Sequence, residues 1–440
     1  MKRSAVLVAV LVVLGMFLGT QVIAQEEAKP YSGDIWSRST LTGDWSGARN
    51  GLAAKGVTFD MNLAQITQGV TNGGKDSSWQ YGGRGNLTVN VDTQKLGLWP
   101  GGFFTAEFEG NFNDSVNGKT GALMPVNTNA LFPMPKQSGK NDGNNLNVPE
   151  VSFAQFFSPY AGVTFGKVDT MSGDMNEFAH GKGDVQFFNT AFSVNPVSLM
   201  TVPYSTLGTG VIVLPTKDPN AVIINFLVLQ ANGQASTIGF SDLDGDKLTF
   251  AGEGRVRTDF FGLTGHQLIG ATYSNKEFTN LDQRLRIVLE NQSLKSKKGS
   301  WNMYYNFDQY LYEPKKGSGQ GVGVFGRFGA SDGNPNPVHY FLSAGVGGKG
   351  IIPGRPLDRL GVGYYYIDVQ SVTVQGPFRE RKFLRDEQGV EVFYNIAVTP
   401  WMQVTPDLQV VKGAQKQQIS GGVNDVHTAT VLGLRLNLVF

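Results

Sequence analysis

The sequence predicts an all-β fold: a transmembrane antiparallel β-barrel of about 16 strands, with a short N-terminal periplasmic helix. Three observations predict it. A charged and then apolar leader opens the chain, short segments alternate apolar and polar residues along most of it, and the last of these ends on Phe440. Composition agrees. Of 440 residues 57 are Gly and 17% are charged, against roughly 25% charge in an ordinary soluble chain. The formal net charge of +1 offers no basic excess for nucleic acid. The absence of cysteine excludes disulfides, thiolate metal sites and cysteine nucleophiles.

The elements follow in order. Lys2 and Arg3 precede an apolar run from Ala5 to Leu18, and Val22-Ile23-Ala24 supplies a cleavage site. This is the build of a secretory signal peptide, residues 1–24; a membrane anchor needs roughly 20 apolar residues. Beyond it the best apolar stretch, Ala221 to Leu229, is interrupted by Asn225, so a helical membrane protein is excluded. Residues 25–56 make an N-terminal segment in which Asp44 to Gly56 reads as one short helix, with Asp44 at its N-cap and Gly56 at its stop. Lying before the first strand, it is placed to cap or plug the periplasmic rim.

Residues 57–440 form the barrel domain. In Val57 to Leu63 the odd positions are apolar and the even ones polar. Arg84, Asn86, Thr88, Asn90 and Asp92 share one face of their segment, with Leu87, Val89 and Val91 on the other. Thr105, Glu107, Glu109 and Asn111 oppose Phe104, Phe108 and Phe112; Glu253, Arg255, Arg257 and Asp259 oppose Phe250, Val256 and Phe260. The last strand sets Leu432, Leu434, Leu436, Leu438 and Phe440 against Arg435 and Asn437. Successive strand side chains point to opposite faces, so each segment has an apolar and a polar side.

Tight connections at Ser158–Ala161, Lys217–Asn220, Gly262–Gly265 and Thr399–Trp401 alternate with long polar ones. The long ones are Asn113–Pro149, Thr170–Leu207, Ala231–Asp246, Lys276–Ser300, Gln370–Gly389 and Lys412–His427. That rhythm suits short periplasmic turns and long outer loops. Placing the ambiguous stretch Val185–Phe192 inside an outer loop makes the strand count even, as a bacterial barrel requires. Lipid offers backbone groups no hydrogen-bond partner, so the sheet must close, and at this strand number it encloses an aqueous channel.

The chain resembles the carbohydrate-selective outer-membrane porins of the OprB type over essentially its whole exported length. The resemblance rests on Leu41-Thr42-Gly43-Asp44-Trp45-Ser46-Gly47-Ala48-Arg49, on Gly361-Val362-Gly363-Tyr364-Tyr365-Tyr366, and on Glu391-Val392-Phe393-Tyr394-Asn395. Thr399-Pro400-Trp401, Thr405-Pro406-Asp407-Leu408-Gln409 and Gly433-Leu434-Arg435-Leu436 complete it. The resemblance implies facilitated diffusion of monosaccharides, glucose above all, through a lumen narrowed by inward-folded loops and lined with charge. It also implies sugar contact by an arginine on the second strand and a glutamate on the third, here Arg84 and Glu107.

Sugars carry hydroxyls and flat apolar faces, which charged side chains and aromatic rings can meet. The candidate constriction residues are therefore Arg84, Glu107, Glu109, Glu253, Arg255 and Arg257, with Trp79 in the first outer loop. The competing reading is that such charges brace the wall, and it is favoured for Glu109, Glu253, Arg255, Arg257, Arg327 and Arg435. Trp99, Trp301, Tyr304, Tyr305, Tyr310, Tyr312, Tyr364 to Tyr366 and Trp401 read as interfacial girdle residues. The mixed run from Arg379 to Glu387 reads as a solvated outer loop, with contact to lipopolysaccharide phosphates as the sharper alternative.

No cofactor, metal site or catalytic group is expected. His180, His266, His339 and His427 are scattered and form no i, i+4 ligand pair. Asp242, Asp244 and Asp246 lack the distal Glu of a calcium loop, which favours a solvated acidic turn and leaves calcium binding open. Expected partners are monosaccharides or small oligosaccharides, outer-membrane lipid and lipopolysaccharide. Monomer and trimer both stay open. The rival functions are a general porin on the same wall, a membrane-embedded protease or lipase, and a secreted β-sandwich.

Overall fold

Alternation becomes a closed wall in the computed structural model, which describes residues 31–133, 144–172, 175–284, 293–371, 373–375, 380–382, 384–419 and 423–440. The expected signal peptide lies outside the described residues. The first half of the barrel comprises β1 (Val57–Gly74), β2 (Trp79–Asp92), β3 (Gly102–Asn113), β4 (Asn144–Ser158), β5 (Ala161–Asp169), β6 (Ser205–Val213), β7 (Val222–Gln230) and β8 (Leu248–Thr258). The second half comprises β9 (Gly265–Thr279), β10 (Ser296–Tyr312), β11 (Gly321–Ser331), β12 (Val338–Lys349), β13 (Arg359–Val369), β14 (Glu387–Thr399), β15 (Met402–Lys412) and β16 (His427–Val439). Neighbours are antiparallel, and β16 returns to β1 with Asn62 opposite Val439 and Gln68 opposite Gly433. This is the sixteen-stranded barrel the alternation predicts.

The connections keep the expected rhythm. Pro159-Tyr160 turns β4 into β5 and Pro400-Trp401 turns β14 into β15, whereas long segments join β3 to β4 and β5 to β6. The ambiguous Val185–Phe192 stretch holds only a 3-10 turn, Thr190–Phe192, within the β5–β6 loop. In β16, Leu432 and Leu434 stand exposed on the outer face while Arg435 and Asn437 are buried inside.

The N-terminal segment straps the periplasmic rim. Its helix α1 (Ala48–Ala54) follows a 3-10 turn, and the Asp44 carboxylate accepts the Asn50 amide at 2.8 Å. Arg49 donates to the Phe59 carbonyl at 2.6 Å, and the Trp45 ring lies 5.8 Å from that of Phe59. Leu41 N–H donates to the Val439 carbonyl at 2.7 Å, and the Trp401 indole donates to the Ile35 carbonyl at 2.6 Å. The ends of the first and last strands are thereby held together.

Two outer connections fold into the lumen: residues 114–133, which we term the first inward loop, and residues 170–172 with 175–204, the second. Val116, Met124 and Val126 of the first join Phe178, Phe187, Phe192 and Val197 of the second in one apolar cluster with Phe325, Phe341, Tyr365, Phe393 and Val431 of the wall. Glycines make room for it. A Cβ on Gly347 would stand 2.6 Å from Phe178, one on Gly361 2.9 Å from the Phe187 ring, and one on Gly363 2.5 Å from the Phe192 ring. The run Gly345-Val346-Gly347-Gly348 is therefore a seat for aromatic side chains, with its valine turned outward to lipid.

The girdle expectation needs correction at three tyrosines. Trp99, Trp301, Tyr305, Tyr312 and Tyr364 are exposed as expected, but Tyr310 and Tyr365 are buried in the lumen cluster and Tyr304 faces the lumen beside Glu253. Strand parity is the reason: Tyr365 must face opposite to Tyr364 and Tyr366. Trp401 is buried under the N-terminal strap. The Arg379–Glu387 run is likewise divided. Arg379 lies outside the described residues, Arg385 donates to the Gly413 and Val426 carbonyls, and Glu387 is fully buried at the start of β14 instead of lying in a solvated loop.

Candidate substrate passage

Pairing brings the predicted charges of β2 and β3 side by side on the lumen face: Thr88 lies opposite Glu107 and Asn86 opposite Glu109. The second inward loop then supplies Lys182 and Asp184. Arg84 bridges two carboxylates, pairing with Glu109 through Nη1 and with Asp184 through Nη2 at 2.6 Å. Lys182 Nζ pairs with Asp169 and lies 3.4 Å from both Glu107 and Glu109. The Tyr204 hydroxyl donates to Glu109, and Asn86 donates to Glu107 at 3.4 Å.

This group is closed to lumen water. Arg84, Glu107 and Glu109 are 1%, 5% and 0% exposed, and Asp184 reaches 22%. Arg84 and Glu107 therefore do not offer free hydrogen-bonding edges to a solute, as the resemblance implied; they anchor the second inward loop to β2 and β3. Burial of a charge is costly unless it is paired and hydrogen-bonded, and here each is.

Glu253, Arg255 and Arg257 share a face of β8 but have separate fates. Glu253 accepts from the Tyr304 hydroxyl at 2.9 Å, and Arg255 donates to the Met175 carbonyl of the second inward loop at 3.4 Å. Both are half-buried and reachable from the lumen. Arg257 pairs with Asp218 of the β6–β7 turn at 3.0 Å, at the periplasmic mouth and away from the narrowing. Trp79 is the clear miss: it opens β2 opposite Gly69, on the lipid-facing side of the wall, and is 57% exposed.

Arg327 and Arg435, assigned to bracing, hold the loop main chain. Arg327 donates to the Phe192 and Ala179 carbonyls, and Arg435 to those of Gly183 and Gln186 at 2.7 and 2.9 Å. Lys182 and Asp184, the partners that complete the cluster, were not singled out in the sequence. They sit in a stretch without periodicity, so no local signal ties them to β2 and β3. Below the second inward loop lies a cavity of about 640 Å³ lined by Glu177, His180, Gln186, Tyr310, Lys349 and Arg359. That volume falls within the roughly 300–1,000 Å³ of small-ligand sites.

Comparison with known proteins agrees with this geometry. The sequence pattern of the carbohydrate-selective porin, OprB family, matches residues 76–440. Porin B of Pseudomonas aeruginosa is 24% identical over 459 residues, covering 96% of this chain and 95% of that protein. The high-pH structure of Pseudomonas putida OprB superposes with a TM-score of 0.76 at 20% identity, over 93% of this chain and all of the other. The low-pH structure of the same protein gives a TM-score of 0.55 at 17% identity, over 92% and 99%. A closed sixteen-strand wall, a lumen narrowed by two inward loops, and a family match across most of the sequence together describe an outer-membrane sugar channel: the chain belongs to the carbohydrate-selective OprB porin family.

Proposed function

We propose that the solutes are small neutral carbohydrates, monosaccharides such as glucose, which diffuse through the narrowed lumen into the periplasm. The observation that carries this reading is the inward pair of loops, which leaves half-buried charges of both signs on the lumen face, Glu253 against the Tyr304 hydroxyl and Arg255 against the Met175 carbonyl. A polyhydroxylated solute can exchange water hydrogen bonds for these donors and acceptors without bringing a charge of its own. Weak, repeated contacts favour flux over retention. In this reading Arg84, Glu107 and Glu109 set the shape of the passage, and Glu253 with Arg255 meets the solute.

Liposome swelling with the reconstituted protein tests the proposal. Glucose is expected to enter faster than amino acids and non-sugar solutes of equal size. Equal rates for all solutes of one size would assign the chain to the general porins instead.

A further inference from the structure

Resting on the sugar-channel reading, we propose that Glu391 and Glu387 of β14 are positioning residues that set the width of the passage by latching the two inward loops. The same device occurs twice on one strand. Glu391 accepts the consecutive amides of Phe188 at 2.5 Å and Asn189 at 2.9 Å, both in the second inward loop. Four residues earlier, Glu387 accepts the consecutive amides of Leu123 at 2.5 Å and Met124 at 3.0 Å, both in the first. Both side chains are fully buried on the lumen face.

Each latch uses both oxygens of its glutamate, one for each amide. An amide in its place would keep one of these oxygens and turn a repelling NH₂ toward the other N–H. Glu387 gains two further donors, the Ala414 amide at 3.0 Å and the Tyr365 hydroxyl at 3.1 Å. Gly389 lies between the two glutamates on the same face, and the Tyr365 ring fills the space over it.

The loops are also latched to each other. Thr128 N–H donates to the Phe188 carbonyl at 2.7 Å and Thr190 N–H to the Pro125 carbonyl at 2.9 Å. Gln409 extends the arrangement, accepting from the Asn189 amide side chain at 3.1 Å and donating to the Val126 carbonyl at 2.9 Å. Release of the second loop at Glu391 therefore loosens the first, and the lumen widens from the β14 side.

The test compares the wild-type full chain with Glu391→Ala, Glu391→Gln and Asn189→Pro in planar bilayers. Asn189 has φ −75°, which suits proline, so Asn189→Pro removes one of the loop's two donors to Glu391, together with the side-chain bonds of Asn189 to Gln409 and to the Ala191 amide, without altering the wall. Single-channel conductance is expected to rise roughly twofold or more in Glu391→Ala and Asn189→Pro, since the unobstructed barrel is wide enough for an aqueous channel. Both variants should admit polyethylene glycols that the wild type excludes, with Glu391→Gln between them and wild type. Unchanged heat-modifiable gel migration shows that the barrel itself is intact. Wild-type conductance and wild-type exclusion limit in an assembled Asn189→Pro barrel would overturn the latch. The exclusion limit reads width and not sugar preference, so failure of sugar selectivity leaves this result interpretable.

Discussion

Arg84 holds a carboxylate with each end of its guanidinium, Glu109 from the wall and Asp184 from the second inward loop. Removing it takes the shared cation from two acids, one of them fully buried. Arg84→Ala should cost about 3–5 kcal/mol of stability, the usual penalty for breaking a buried pair. Denaturant unfolding in detergent would measure it. Arg257→Ala removes an ion pair whose side chains are 38% and 44% exposed, and should cost at most about 1 kcal/mol. The two arginines look alike in sequence, both on polar faces of alternating strands. Alternation reveals which face a side chain takes. What it meets there depends on residues such as Lys182 and Asp184, which arrive from a loop without a repeating pattern.

Among the elements, the wall from β11 to β14 is shaped by what it omits. Gly347, Gly361 and Gly363 leave the space that Phe178, Phe187 and Phe192 occupy. Gly363→Val should drive the Phe192 ring out and raise conductance, whereas Gly254→Val, which meets no atom within 4 Å, should leave it unchanged. The turn between β12 and β13 offers a pH test outside the membrane. Burial pushes the Asp358 carboxyl up, but Arg355, the Tyr394 hydroxyl and the Ala397 amide outweigh it and hold it below the ordinary carboxylate value. A depressed carboxyl contributes fully above its unfolded value, near 4, and loses that contribution as pH falls through the folded value. Thermal stability of the wild type should thus fall below pH 4, and Asp358→Asn should show less of that fall. The glycine runs were visible in the sequence, but their purpose was not: a strand glycine facing a loop's phenylalanine is a long-range fact. Strand number and turn placement, in contrast, were legible because period-two alternation and turn residues are local.

On the scale of the molecule, the low charge, abundant glycine and aromatic residues separate into distinct places. Leucines and valines face lipid, Trp99 and Tyr312 mark the rims, and the remaining charge lies inside, much of it fastening two loops in the lumen. The wall was readable because most strands repeat one rule. The narrowing was not, because the two inward loops follow no repeat and gain their shape from Glu387, Glu391, Arg327 and Arg435. A sixteen-strand barrel without those loops would pass solutes by size alone; with them it can distinguish a sugar. The most direct test is single-channel current through the wild-type protein while glucose is titrated against a non-sugar solute of equal size. Saturable block by glucose, absent with the other solute, is predicted; a current that falls equally and without saturation for both would contradict it.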